Sequence, residues 1–129
     1  IGFIADQTPV WHSIHLWMDF LNQETPVFTG TERIANQVNA CIYYLDMSRP
    51  RRGYYHGVFR RVVWDKESGK EFPITEAYMQ LLEETIGHAP AYWLWSHNRW
   101  KRTRAMAEQL QAEQEKRKQE RIKVCKANA

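Results

Sequence analysis

The sequence predicts an α/β fold, a mixed and largely parallel sheet flanked by helices. Three observations predict it. Two short apolar runs, Ile1–Ala5 and Cys41–Met47, have the near-continuous hydrophobicity of strands buried on both faces. Two further stretches, Ser13–Phe20 and Tyr54–Trp64, have the alternation or the aromatic and β-branched content of half-buried strands. Helix-forming segments with start signals stand among them, so strands alternate with helices along the chain.

Ile1–Ala5 leads into Asp6-Gln7-Thr8-Pro9, turn chemistry at the C-terminal end of the expected strand. In open α/β sheets that end is where ligands bind. From position alone Asp6-Gln7 reads equally as an Asx-type turn. Ser13–Phe20 alternates, with Ile14, Leu16, Met18 and Phe20 on one face and His15, Trp17 and Asp19 on the other. Asn22–Pro26 reads as loop. A helix is predicted over Thr31–Asn39, with Thr31 as N-cap and Ile34 and Val38 facing inward. The segment containing Thr25, Gly30 and Thr31 would present that helix's free N–H groups, a place where an anion can sit.

Cys41–Met47 is expected as a second buried strand, Ser48–Gly53 as a turn, and Tyr54–Trp64 as its antiparallel partner in a hairpin. Asp65–Pro73 is polar loop. The next helix starts with Thr75 as N-cap, stapled by Ile74 and Met79. Tyr78, Leu81, Leu82 and Ile86 form its buried stripe, and Gly87 is its C′ residue. Thr103–Lys126 is helix-forming, with apolar positions only at Met106 and Leu110 before a charged run.

A chain of 129 residues is one domain by length. No apolar run approaches the span of a bilayer, and the chain begins at Ile1 inside an apolar run, as though taken from something longer. Cys41 and Cys125 read as reduced, unpaired thiols. The net charge of +3 is unevenly spread: residues 1–98 hold 8 Lys/Arg against 11 Asp/Glu, and residues 99–129 hold 10 against 4. Nucleic-acid binding over the whole surface is thereby disfavoured.

The stretch Ala91–Arg104, AYWLWSHNRWKRTR, interleaves Trp93, Trp95 and Trp100 with His97, Asn98, Arg99, Lys101, Arg102 and Arg104. A core would refuse the cations and a solvated face would refuse the tryptophans. The mixture suits an apolar surface that meets anions. Helical spacing would put Trp93, His97 and Trp100 on one side and Arg99 and Arg102 on another. Arg49, Arg51 and Arg52 read as a solvated turn or as contacts to acidic headgroups. None of the five histidines has an acidic residue five positions on, so no His-x4-Asp/Glu pair is present. No metal-ligand spacing occurs beyond His12/His15, and neither Gly-x-Ser-x-Gly nor a phosphate-binding Gly-rich loop occurs.

Ordered blocks along residues 1–104 resemble the late acyltransferases of lipid A biosynthesis, within the lysophospholipid acyltransferase superfamily. Ile4-Ala5-Asp6-Gln7 resembles the family's Asp-Gln block, and Ala77–Glu83 its penultimate helix. The most specific match is Pro90-Ala91-Tyr92-Trp93-Leu94-Trp95-Ser96-His97-Asn98-Arg99-Trp100-Lys101-Arg102. It is similar to the family's Trp-x-His-x-Arg-aromatic-Lys signature, in a form resembling that of Bacteroidetes-type bacteria. Asn98 departs from it, standing where a basic residue is commoner. The resemblance divides the chain into an acyltransferase portion, 1–104, and a charged helical tail, 105–129.

The resemblance implies an enzyme that moves a fatty acyl group from an acyl-carrier-protein thioester to a hydroxyl of a lipid A precursor or related lipid, with no other cofactor. It implies work at the cytoplasmic face of the bacterial inner membrane. The family's base is a His-x4-Asp/Glu dyad, expected upstream of the Asp-Gln block and so outside this chain, which alone would be inactive. Asp6 and Gln7 would line the active site, with Thr25, Gly30, Thr31, His97 and Asn98 on the substrate side. Arg99, Lys101 and Arg102 would pair with phosphates or acidic headgroups. An unpaired strand edge would invite a homodimer. Two other classes fit the residues alone: a basic and aromatic module binding nucleic acid or a protein partner, and a scaffold whose charged helix docks a partner.

Overall fold

The computed structural model describes the backbone of residues 1–127. The Cys125 thiol lies outside the described residues, and Cys41 is free and exposed. Among the described residues, four strands form two separate antiparallel hairpins, and three α-helices accompany them. Among the described residues the expected parallel sheet is not formed. Ile1–Ala5 is coil and leaves Ile1 and Ile4 exposed. An apolar run becomes a buried strand only where neighbours flank it, and among the described residues no strand pairs with this one.

Trp11–Ser13 is a single 3-10 turn, so the first strand is shorter than the alternation suggests: β1 is Leu16–Phe20. It pairs with β2, Gln23–Val27, in the register Leu16↔Val27 through Phe20↔Gln23. β2 occupies a stretch expected as loop. Pro26 disguised it, but a two-stranded ribbon has open edges where a residue without an N–H is tolerated. The link is a two-residue turn, Leu21-Asn22, with both φ positive (51° and 61°), the primed geometry that matches the strands' twist.

The first helix, α1, is Gly30–Val38 with Thr29, not Thr31, at the N-cap. Asn39 ends it in the left-handed region at φ 49°. Its buried residues are Glu32 and Ala35, whereas Ile34 and Val38, expected inside, are exposed. The helix is turned this way because the Glu32 carboxylate accepts from the N–H of Ile74 (3.2 Å) and from the N–H (2.8 Å) and hydroxyl (2.7 Å) of Thr75. Those groups open α2, Pro73–His88. Thr75 is therefore inside the first turn and not the N-cap; Phe72 is the N-cap, and the capping carboxylate comes from another helix. The helix also runs through Gly87 to end at Ala89.

β3, Tyr43–Arg51, and β4, Tyr54–Arg61, form the expected hairpin, closed at Gly53 with φ 80°. Its register is irregular between Ser48 and Arg51, where Pro50 falls. Neither strand is buried on both faces. One face is tied to α2: the Thr85 hydroxyl accepts from Tyr44 (3.0 Å) and can donate to Asp46 (3.0 Å). Arg60 bridges Asp46 (3.5 Å) and Glu84 (2.8 Å) beside it.

The core gathers Phe20, Val27, Met79, Leu82 and Ile86, with Leu16, Met18, Tyr44, Tyr78, Trp93 and Trp100 against it. Tyr78 and Leu81 of the expected stripe are half-buried, while Met79 and Ile74 are buried outright. α3, Arg104–Ala127, bears out the C-terminal helix. Thr103 starts it by accepting from the Met106 N–H (3.3 Å), and residues 111–120 are all exposed. Among the described residues, no helix is long and apolar enough to cross a membrane.

Candidate functional site

The stretch from Trp93 to Arg102 is not helical. It descends from the Pro90–Tyr92 turn and makes a second 3-10 turn at Arg99–Lys101. Helical spacing therefore does not sort its residues, and Arg99 lies inside with Trp93 and Trp100, while Trp95 is exposed. Phe20, delivered by β1, is the platform. Trp93 tilts against it with centroids 6.3 Å apart, and Trp100 stacks at 6.5 Å. The Arg99 guanidinium sits over the same ring, its central carbon 4.8 Å from the centroid.

Arg99 is 1% exposed. Burial draws its guanidinium below the ordinary arginine value, and the charges of Tyr78 and Asp6 oppose that shift. Its Nη1 donates to the Asp6 carbonyl, while the Thr8 hydroxyl donates back to the Arg99 carbonyl at 2.7 Å. The Tyr78 hydroxyl donates to the Ala5 carbonyl. Burial raises the Tyr78 phenol well above its ordinary value, with Arg99 opposing the rise. Segment 5–8, which has no strand partner among the described residues, is thus held to Arg99 and Tyr78 from distant parts of the chain, its own Thr8 bonding back to Arg99.

Several buried polar atoms around this clamp have no hydrogen-bond partner among the described residues. They are Asp6 Oδ1, His97 Nε2, Arg99 Nε and Nη2, Trp100 Nε1 and Arg102 Nε. Most are donors, and such groups are costly to leave unpaired. The unpaired guanidinium and indole N–H groups among them are of the kind that oxygen acceptors carrying negative charge satisfy. Outside the turn, Arg102 covers Trp11 at 5.4 Å and Arg104 covers Trp17 at 5.5 Å. Arg104 also bonds Glu24 on β2 through Nε (2.9 Å) and Nη2 (2.6 Å). Asn98 and Lys101 are exposed.

Of the residues singled out from the sequence, Asp6 and Arg99 are in direct contact. Thr25 is buried on β2, the strand that packs against the Arg99–Lys101 turn, and its hydroxyl also lacks a partner. Gln7 is exposed beside Asp6. Gly30 and Thr31 begin α1, and among the described residues no hydrogen bond joins them to the 97–102 turn. A Cβ on Gly30 would meet nothing within 4 Å, so that glycine is not reserved for a close backbone approach. Sequence reasoning missed Tyr78 and Thr8. Tyr78 was read as a stripe residue, and only its hydroxyl, useless to an apolar stripe, hinted at a partner.

The turn thus sets a cation and two indoles on one phenyl platform, with Asp6 beside them. A family model described as bacterial lipid A biosynthesis acyltransferase matches residues 1–102, and the chain belongs to that family. No curated protein and no solved structure matches it.

Proposed function

We propose that this chain builds the substrate wall of an acyltransferase that transfers a fatty acyl group from an acyl-carrier-protein thioester to a hydroxyl of a lipid A precursor. The single observation that carries the reading is the group of buried, unpartnered donors at Arg99, Trp100 and Arg102, beside Asp6, inside a family match over residues 1–102. A phosphorylated glucosamine lipid would bring the oxygens those donors lack. In this reading Lys101 and Arg102 meet phosphate, where the guanidinium fork suits its oxygens. Arg99 serves two ends: it holds the Asp6 carbonyl and lends its remaining N–H groups to the same anion. Asp6 and Gln7 face the reacting end, with His97 and Thr25 beside them. Acceptor activation needs a general base, and no His-x4-Asp/Glu pair of these 129 residues provides it. The reaction would take place at the cytoplasmic face of the inner membrane, where both substrates meet.

The test is an acyl-transfer assay with acyl-carrier-protein thioester and a lipid A precursor, run on the longer reading frame that joins these residues to a general base. Arg102→Met and Lys101→Met are expected to raise the acceptor KM about tenfold or more with little change in kcat, the signature of lost uniform binding. Unchanged KM in both would refute the phosphate assignment. Absence of transfer together with tight, salt-sensitive binding of single-stranded nucleic acid would overturn the enzyme reading.

A further inference from the structure

The β3–β4 hairpin is polarised the wrong way round for a solvated sheet. Tyr44, Asp46 and Arg60 face α2 and are hydrogen-bonded there. The register pairs Tyr43↔Arg61, Leu45↔Phe59 and Met47↔Gly57 on the opposite face. That face is apolar and open: Phe59 is 72% exposed, and Tyr43, Leu45, Met47 and Tyr55 are exposed with it. Leu45 lies across Gly57, where a Cβ would stand 3.1 Å from its Cδ1, so the face is flat at its centre.

The charges around it have one sign. Residues 43–61 carry five arginines and one acid, and that acid, Asp46, is engaged by Arg60 on the α2 side. Arg61 stands at one end of the apolar face, and Arg51 and Arg52 at the hairpin tip. Arg51 covers the Tyr54 ring at 3.7 Å, an arrangement that keeps a guanidinium against an apolar body. A second copy of this face would bring arginine to arginine. A surface of anionic lipid complements both features at once: headgroups for the cations and the acyl boundary for Phe59, Leu45 and Met47, with tyrosines at headgroup depth.

We infer that the outer face of the β3–β4 hairpin is a docking surface for an anionic lipid bilayer, with Phe59, Leu45 and Met47 at the acyl boundary and Arg51, Arg52 and Arg61 on the headgroups. It deepens the acyltransfer reading and rests on it for the membrane concerned. The chain would lie on the bilayer through this hairpin, with the open strand edges kept at headgroup depth where water can serve them.

The experiment is co-sedimentation of the 129-residue chain with vesicles of phosphatidylcholine alone or with about one-third phosphatidylglycerol, at low and physiological salt. Binding is expected only to the anionic vesicles and should weaken as salt rises. Arg51→Gln with Arg52→Gln should lower partitioning about thirtyfold, from about fivefold per cation near an anionic surface. Phe59→Ser with Leu45→Ser should release the protein while far-ultraviolet circular dichroism stays unchanged, because both side chains are exposed. No binding to either vesicle, or binding indifferent to both double variants, overturns the inference. So does a dimer in sedimentation velocity that Phe59→Ser dissolves while vesicle binding is absent. Vesicle binding by this chain with no acyl transfer by the longer, base-bearing reading frame would sink only the catalytic reading, and transfer by that reading frame while this chain ignores vesicles would sink only the docking face.

Discussion

Replacing Glu32 with alanine would remove three hydrogen bonds at once from the start of α2. The carboxylate is 2% exposed and comes from α1, 42 residues before Ile74, so no local sequence can substitute for it. Its loss strands two backbone donors and one hydroxyl. A buried unpaired donor costs about 1–3 kcal/mol, and the lost anion at a helix N-terminus adds about 0.3–1 kcal/mol. These overlap, and relief from burying a charge offsets part, so about 3–4 kcal/mol is expected for Glu32→Ala. Glu32→Gln keeps the shape and one acceptor oxygen and should cost about half as much, since a neutral acceptor makes bonds roughly half as strong. Thr75→Val removes the hydroxyl alone and should cost about 1 kcal/mol, coupled to Glu32 by about 0.5 kcal/mol or more in a double-mutant cycle. Urea unfolding measures the wild type, the three single variants and the double variant, with the m-value as a check that the denatured state is unchanged. A Glu32→Ala cost below about 1 kcal/mol at unchanged m would refute the cross-helix cap, since it would mean that water serves α2 equally well.

Three further outcomes are expected. The Tyr78 phenol is held above its ordinary value of 10.0, so its contribution to stability is complete below about pH 10 and is lost as pH rises through the higher folded value. Alkaline unfolding should therefore be less steep in Tyr78→Phe, and ultraviolet titration of the wild type should show one late phenolate that the variant lacks. Gly87→Ala should stabilise by about 0.5–1 kcal/mol in thermal or urea unfolding, because the residue is helical and an added Cβ meets nothing within 4 Å. Gly53→Ala should destabilise by about 1 kcal/mol despite equally open space, because its φ of 80° strains any side chain, and Gly53→Asn should recover much of the loss.

Much of the local structure was legible because it is locally determined. The β3–β4 hairpin announces itself through its aromatic strands and Gly53, and α2 and the C-terminal helix through composition and periodicity. β1 follows from the alternation at Leu16, Met18 and Phe20. β2 was hidden by Pro26 and by Leu21, an unusual residue at positive φ in the turn before it. The parallel sheet failed for a different reason: Ile1–Ala5 is apolar enough to be a buried strand, but burial is a property of neighbours, which one segment cannot specify. At the site, Asp6 and Arg99 were both readable as chemistry-bearing residues and are joined by a hydrogen bond. What joins them to Tyr78 and Thr8 was not readable, since side chain to carbonyl bonds over 73 and 91 residues leave no pattern in sequence. Glu32 is the same lesson inside a helix, where a carboxylate among Thr31 and Arg33 reads as solvent-facing until its partner helix is in place.

The attachment of α3 has a mechanical consequence. Twenty-four residues at about 1.5 Å per residue make a rod of about 36 Å. Its base is pinned at Arg104 by the Glu24 oxygen and the Trp17 ring, both on the β1–β2 hairpin. A rotation of only about 10° at that pivot would sweep the far end of a rod that long by about 6 Å. The exposed ion pair is screened by salt more than the shorter-ranged contact with the Trp17 ring, so ionic strength would act on the stiffness of this joint while leaving the lever itself unchanged. Force applied along the helix would be delivered first to β2, the strand that packs against the Arg99–Lys101 turn.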